Sequence, residues 1–285
     1  MSFTIGAALE EAVVRLKPVA DLPHLEAELL LCHVIGKPRT WLVAWPDKLL
    51  SQKEHDAFMA LVRQREEGAP VAYLTGEREF WSLTLAVTPD TLIPRPETEL
   101  LVETLLELYG AEESLTLVDM GTGSGAIALA IAKEKPGWQI IATDLSEAAL
   151  AVARGNAERH GIANVRFLQG DWYDALPPEM HVDVIVSNPP YVATEDPHLQ
   201  QGDVRFEPQG ALASGSEGLD AIRQLLPGAI VHLKSGGRIL VEHGHDQGEA
   251  VRCLMHDDGY HAIRTLRDLE GHERVTLGTY RRMPI

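Results

Sequence analysis

Apolar residues recur at helical spacing through the first 75 positions of the chain. Thr4 can cap a helix that runs to Lys17, where Pro18 stops it. Asp21 can cap a second helix, with Pro23 near its first turn and Gly36 at its end. Ser51-Gln-Lys-Glu54 has the form of a capping box. Ala57, Phe58, Leu61 and Val62 follow it at helical spacing, and Gly68-Ala-Pro70 closes the run. Trp41 and Trp45 lie four apart and share a face, which predicts core packing in a small bundle. The period changes over 79–90: Phe80, Trp81, Leu83, Leu85 and Val87 predict a short strand or hairpin, and Thr88-Pro89-Asp90 a turn. Ile93-Pro-Arg-Pro96 and a helix over 97–109 come next, so this stretch reads as a bridge.

From residue 115 the pattern alternates. Strands are predicted over 115–119, 138–143, 165–169, 182–187, 238–242, 261–266 and 274–280. Helices are predicted over 125–133, 146–160, 219–233 and 246–257. Such alternation means an α/β domain, a mostly parallel sheet with helices on both faces. The intervening 31 residues, 188–218, carry no regular pattern, and a loop that long inside a compact domain is usually functional. The expected layout is a helical domain over 1–75, a hairpin or linker over 76–95, and the α/β domain over 96–285.

Composition narrows the function. The chain has 285 residues and a formal charge of −17. Residues 1–75 carry 8 basic and 10 acidic side chains, whereas residues 76–285 carry 17 and 32. An acidic larger part repels a phosphate backbone, which disfavours stable nucleic-acid binding and suits a cationic ligand or a basic protein partner. The apolar run Ala126–Ala132 is too short to span a bilayer, and no secretory signal is readable near the N-terminus. Two distant cysteines, Cys32 and Cys253, exclude a disulfide framework and fit a reducing cytoplasm. No common zinc motif is present, and His243 and His245 lack a third ligand at motif spacing, so no metal is expected.

The first α/β strand ends in Asp119-Met-Gly121-Thr122-Gly123-Ser124-Gly125. Glycines between a strand and a helix let a ligand approach the backbone closely. Gly121, Gly123 and Ala126 also satisfy a dinucleotide pattern, with Asp144 where an acid would hold ribose hydroxyls, so a nicotinamide oxidoreductase competes. Asp119 tilts the balance, because a carboxylate there suits an ammonium and a sulfonium, both carried by S-adenosylmethionine. Asp171 and Trp172, after the third strand, can frame the adenine, Asp171 accepting from its amine and Trp172 packing the ring.

The fourth strand ends in Ser187-Asn188-Pro189-Pro190-Tyr191. Two prolines fix the backbone and remove two N–H donors, leaving the Asn188 side-chain oxygen and the Pro189 carbonyl as acceptors. An NH₂ group can donate one hydrogen to each while its nitrogen faces a methyl donor at about 3–3.5 Å. Tyr191 would wall a planar target.

These residues resemble class I S-adenosylmethionine-dependent methyltransferases that act on planar nitrogen. More of the chain carries a narrower resemblance. Ile93-Pro-Arg-Pro-Glu-Thr-Glu99, the glycine turn and the Asn-Pro-Pro-Tyr site occur in order. Phe206-Glu-Pro208, Gly218-Leu-Asp220, Glu242, Gly244, Gln247, Asp268-Leu-Glu-Gly271 and Arg274 follow them. The chain resembles the HemK/PrmC family of release factor glutamine N5-methyltransferases. That resemblance implies a Rossmann-like seven-stranded sheet with an antiparallel last strand, beside a small helical substrate-recognition domain. It implies transfer of a methyl group from S-adenosylmethionine, leaving S-adenosylhomocysteine. The target is the glutamine amide of the Gly-Gly-Gln motif of class I peptide chain release factors. It carries cofactor binding onto Gly121–Gly125, Asp144, Trp172 and Asn188, and substrate binding onto Asn188, Pro189, Pro190 and Tyr191. Asn188, Pro189 and Tyr191 are then the catalytic set, acting in a monomeric cytoplasmic enzyme that binds no membrane. The alternative is a nucleic-acid N-methyltransferase, on DNA adenine or RNA guanine, using the same four residues. Arg95, Glu207 and Glu242 lie in flanking segments, where Glu242 reads as a loop cap. A cofactor-bound adaptor without turnover is the remaining competitor.

Overall fold

The computed structural model describes residues 3–110 and 114–282; Met1 and Ser2, the start of the predicted helical domain, lie outside them. The chain forms two compact units. One is 1–77 together with 200–206, and the other is 78–199 together with 207–285.

In the first unit, β1 (Phe3–Thr4) leads into α1 (Ile5–Leu16), followed by α2 (Pro23–Ile35) and α3 (Arg39–Ala44). β2 (Leu49–Leu50), α4 (Gln52–Glu66) and α5 (Val71–Thr75) complete it. Local chemistry sets the ends. Thr4 accepts from Ala7 N, Ser51 and Glu54 close a reciprocal capping box, and Gly36 ends α2 in the left-handed region. Ile5, Leu16, Leu30, Leu31, Phe58 and Val62 make the core. Trp45 departs from expectation: it is 57% exposed. Trp41 is half-buried, with the Lys48 ammonium 4.8 Å from its ring centre. α3 is only 6 residues long, too short for its period to orient a shared face.

Segment 200–206, inside the long loop predicted for the α/β domain, belongs to this helical unit. Arg65 explains why. Its side chain is 6% exposed, and its guanidinium reaches Glu26 at 2.6 Å and Asp203 at 3.0 Å. It also donates to the carbonyls of Val19 and Gly68. Arg205 adds a bond to the Glu67 carbonyl at 2.9 Å. A buried cation is held only if paired and hydrogen-bonded, so the segment is part of the unit's own electrostatic balance.

The second unit starts at the second residue of β3 (Glu77–Phe80), which forms a hairpin with β4 (Leu83–Ala86), and continues into α6 (Glu99–Leu108). The hairpin is not a free bridge. Phe80, Leu83 and Leu85 enter the same core as α6 and the next helix, and Asn156 bonds both the N–H and the carbonyl of Ala86. The alternating part then runs β5 (Thr116–Met120), α7 (Ala126–Glu134), β6 (Gln139–Asp144), α8 (Glu147–Arg159) and β7 (Val165–Gln169). β8 (Val182–Ser187), α9 (Asp220–His232), β9 (Leu233–Glu242), α10 (Gly248–Asp257), β10 (His261–Arg267) and β11 (Glu273–Thr279) complete it. The seven strands are ordered β10-β11-β9-β8-β5-β6-β7, and β11 alone among them runs antiparallel. This is the expected seven-stranded arrangement.

Strand alternation builds two cores. Leu117, Val184 and Val186 face one cluster with α6 and α7, while Val118, Ile185 and Val241 face another with α9 and α10. β9 begins five residues earlier than the pattern predicts, because Gly236 and Gly237 and a register shift opposite Val182–Val184 hide the strand's first half. From β7 the chain crosses back over β5 to lay down β8 on its other side, so β5 and β8 flank the topological switch point. No helix among the described residues is long and apolar enough to cross a membrane.

Removing the Arg65 guanidinium leaves Glu26 and Asp203 without their shared cation. Arg65→Ala is expected to lower the helical unit's stability by about 3 kcal/mol, less than a fully enclosed network would lose because Asp203 is partly exposed. Urea unfolding followed by circular dichroism measures it, and an unchanged midpoint would contradict this account of segment 200–206.

Candidate active site

The switch point brings the two sequence motifs side by side. Met120 and Ser187 are paired residues at the ends of β5 and β8, and Ser187 Oγ donates to the Met120 carbonyl at 2.7 Å. One residue beyond each stand Gly121 and Asn188.

The glycine turn is wound in the left-handed region at Gly121, Gly123 and Gly125. A Cβ on Gly121 would come within 3.9 Å of the Trp172 ring, so that ring lies over the turn. Most of the turn's donors are already engaged. Gly121 N and Thr122 N donate to the Thr143 carbonyl, Gly125 N donates to the Thr122 carbonyl, and Gly123 N donates to Asp144 Oδ2 at 2.9 Å. Asp144 Oδ1 takes the Ser146 N–H. A pyrophosphate needs such N–H groups free and tolerates no carboxylate among them, so the geometry disfavours the dinucleotide reading. Ser124 is tied down through its carbonyl, which accepts from the buried Asn156 amide at 2.9 Å.

Asp119 lies beneath the turn rather than on its surface. It is fully buried, accepts from Thr122 Oγ at 2.6 Å and from Ala128 N at 3.2 Å, and leaves Oδ1 without a partner among the described residues. Burial pushes its carboxyl up to about 7, against the pull of the Thr122 and Ala128 bonds, and the nearby Asp144 charge pushes the same way. Asp171 is exposed, and Trp172 is half-buried with a positive φ of 45°. Two negative or ionisable groups beside a turn short of free donors favour a positively charged ligand.

At the end of β8, Asn188 Nδ2 donates to Thr98 Oγ1 at 3.0 Å. That bond fixes the amide's orientation. Among the described residues nothing donates to Asn188 Oδ1 or to the Pro189 carbonyl. Two acceptors therefore stand unpaired where prolines have removed the local donors, which is what an incoming NH₂ group requires. Pro190 and Tyr191 are half-buried beside them. Tyr191 donates its hydroxyl to Glu242 Oε1 at 3.1 Å, and its carbonyl accepts from Gln247 Nε2 at 3.0 Å. Gly218 makes that approach possible, since a Cβ there would sit 2.2 Å from the Tyr191 carbonyl oxygen.

The flanking candidates sort by contact. Glu207 has no exposed side-chain surface; it accepts from Ile93 N and pairs with Arg95, so it braces the loop ahead of α6. His243 is buried between the Gly244 carbonyl and the Thr276 hydroxyl, a satisfied core histidine. Thr98, which orients Asn188 from 90 residues away, was not singled out from sequence; only its place in the Ile93–Glu99 segment marks it. Glu242 is not a loop cap, because its carboxyl points to Tyr191 and not to the loop's N–H groups.

Comparison with known proteins agrees with both units. A family model described as the PrmC N-terminal domain matches residues 7–76, and one described as the methyltransferase small domain matches residues 96–204. A release factor glutamine methyltransferase of Vibrio cholerae is 49% identical over 282 residues, 99% of this chain and 98% of that protein. Proteins of the same description from Xylella fastidiosa and Escherichia coli are 52% and 47% identical, over 90% and 95% of this chain and 93% and 97% of theirs. Among solved structures, a Pyrococcus furiosus methyltransferase superposes with a TM-score of 0.54 at 20% identity, over 79% of this chain and 98% of that one. A Thermus thermophilus 16S rRNA N2 G1207 methyltransferase, in complex with AdoMet and guanosine, gives 0.55 at 21%, over 72% and 50%. At that identity these two structures speak to the fold alone.

The Asp119 carboxyl gives the site a pH signature. Its pKa rises from 3.8 to about 7 on folding, so its contribution to stability is complete below about 4 and is lost as pH rises to about 7. Asp119→Asn removes that dependence. The melting temperature of the variant minus that of the wild type is expected to rise between pH 4 and 7 and to level off above. A difference independent of pH would contradict the burial of this group.

Proposed function

The chain belongs to the release factor glutamine methyltransferase family, and we propose that it methylates the glutamine side-chain nitrogen in the Gly-Gly-Gln motif of class I peptide chain release factors. The observation that carries this reading is the pair of unengaged acceptors, Asn188 Oδ1 and the Pro189 carbonyl, one residue beyond the strand pair that ends in the glycine turn. A primary amide offers two hydrogens on one nitrogen, and the site offers two acceptors for them.

S-adenosylmethionine, when bound, supplies an electrophilic methyl group on a sulfonium. The residues present fit such a molecule. The orphaned Asp119 Oδ1 and the Asp144 carboxylate favour a cation at the turn, and the glycines at 121 and 123 leave room beside the backbone, whereas Gly125 lets Leu129 and Ala153 pack against it. Gly121, Thr122, Gly123, Ser124 and Gly125 would form the wall against it, with Asp144, Asp171 and Trp172 around its nucleoside part and Asn188 at its reacting end. Asp119 acts from beneath, by bracing Thr122 and the first turn of α7.

The chemistry asked of the protein is orientation and electrostatics. An amide nitrogen is a poor nucleophile because its lone pair is delocalised into its carbonyl. Asn188 Oδ1 and the Pro189 carbonyl accept its two hydrogens and stabilise the more pyramidal nitrogen on which positive charge develops during attack. Thr98 holds the Asn188 amide so that its oxygen, not its nitrogen, faces the substrate. Tyr191 and Pro190 confine the amide plane, which limits the nitrogen to one approach. The extra proton leaves after transfer, since the pair of acceptors includes no strong base.

The acidic larger part of the chain, 17 basic against 32 acidic side chains over 76–285, suits a basic protein that binds ribosomes better than a phosphate backbone. The nucleic-acid alternative gains no support from the relatives, whose descriptions name release factor glutamine.

Asn188→Ala removes one of the two acceptors and leaves the glycine turn intact. Transfer to an unmethylated release factor is expected to fall by at least about 100-fold, with S-adenosylmethionine affinity changed by less than about 10-fold. Steady-state kinetics and calorimetric titration measure the two. Turnover like that of the wild type would overturn the mechanism.

A further inference from the structure

Glu242 is a buried carboxyl that the reaction as described above does not use. It ends β9, the strand beside β8, and Ser187 pairs with Val241, so Glu242 lies level with Asn188. Its residue surface is fully buried. Oε1 accepts from Tyr191 Oη at 3.1 Å, and Oε2 has no hydrogen-bond partner among the described residues. The Thr98 hydroxyl lies close enough to favour its charged form. Thr98 Oγ1 is already the acceptor for Asn188 Nδ2, which leaves its own hydrogen free to turn toward Glu242. A turn of the Thr98 hydroxyl toward Oε2 would join the two residues that face the substrate amide, Asn188 and Tyr191, behind the site through one carboxyl.

We propose that Glu242 is a positioning residue for methyl transfer, setting Tyr191 directly and Asn188 through Thr98. This rests on the reading of Asn188 and Tyr191 as the substrate wall. A carboxylate accepts from both hydroxyls at once, whereas a protonated carboxyl must spend one oxygen as a donor. Protonation therefore turns one hydroxyl away and loosens one side of the wall.

Several groups face this carboxyl. Burial pushes it up to about 7; the Thr98 and Tyr191 hydroxyls and the Arg274 guanidinium pull it down, and Glu97 pushes it up. Arg274 is itself held by Asp268 at 3.0 Å. Arg95, paired with Glu207, acts on Tyr191 from the loop ahead of α6. His243, next along β9, is held low by burial and stays neutral beside it. Tyr191 is held as the neutral phenol, its pKa raised by burial and by the Glu242 charge, so it donates throughout. The balance leaves Glu242 as the group in this cluster that changes charge near neutral pH.

The experiment compares the wild type, Glu242→Gln and Thr98→Val in methyl transfer from S-adenosylmethionine to an unmethylated release factor. At saturating cofactor, wild-type kcat is expected to rise through pH 7 to a plateau. Glu242→Gln should flatten that limb and lower the plateau by about 10- to 100-fold, with KM for S-adenosylmethionine unchanged. Combined with Tyr191→Phe it should cost little beyond the larger single effect, since both break the same link. Thr98→Val, which keeps volume and cuts the Asn188 link alone, should lower kcat at every pH; it also serves if Glu242→Gln does not fold. A Glu242→Gln enzyme with wild-type kcat and an intact pH limb would overturn the proposal, as would Thr98→Val with wild-type kcat. A readout without substrate separates this from the identity of the reaction. Tyrosine-labelled protein observed by NMR should show the Tyr191 ring shifting with a midpoint near pH 7 in the wild type and not in Glu242→Gln. A Tyr191 resonance that ignores pH in the wild type would overturn the proposal even if another substrate is methylated.

Discussion

The site depends on two parallel strands ending level. β5 and β8 are neighbours in the sheet only because the chain lays β6 and β7 on one side of β5 and then crosses back. The Met120–Ser187 pair, locked by the Ser187 hydroxyl on the Met120 carbonyl, sets the glycine turn and the Asn-Pro-Pro-Tyr segment in register. A slip of one residue would swap the faces of β8 and send Val184 and Val186 into the wrong core. The same packing that stabilises the sheet therefore fixes the distance between the two motifs. That is the sense in which a fold built from apolar alternation positions a polar site.

Polar groups at the ends of those strands are unevenly satisfied, and the pattern is informative. Most of the turn's own N–H groups are engaged, those of Gly121 and Thr122 by Thr143, that of Gly123 by Asp144 and that of Gly125 by Thr122, which removes most of the donors a phosphate would seek. Among the described residues the Asn188 and Pro189 oxygens are left without donors, which creates the need that a primary amide fills. Behind this surface sit two buried carboxyls, Asp119 and Glu242, each pushed up to about 7 and each with one oxygen lacking a partner among the described residues. Orphaned buried oxygens cost stability, so their presence on both sides of the switch point marks strain held at a working site.

Much of this was legible along the chain. The strand-turn-helix at 116–126 and the Asn-Pro-Pro-Tyr end of β8 are local features, where glycine, proline and period decide the backbone without tertiary help. What escaped was whatever depends on distant partners. Thr98 reaches Asn188 across 90 residues, and the carboxyl of Glu242 meets Tyr191 across 51. Hairpin residues Phe80, Leu83 and Leu85 show a clear period, but only the packed core shows that they belong to the α/β unit. Segment 200–206 looks like part of a loop because its bond to Arg65 is made by one acidic residue, Asp203. Trp45 reads as core from its four-residue spacing to Trp41 and stands exposed, because α3 ends at Ala44 and its period does not carry on to Trp45. α5, at 5 residues, is likewise too brief for period to reveal.

On this reading the two acceptors at 188 and 189, unpaired among the described residues, select a primary amide of a protein. The most direct measurement incubates the purified protein with labelled S-adenosylmethionine, an unmethylated release factor and total RNA together, and locates the label by peptide mass spectrometry and nucleoside analysis. The account predicts label on the glutamine of the Gly-Gly-Gln segment and none on RNA. Label on a base, or on a residue without a side-chain amide, would contradict it.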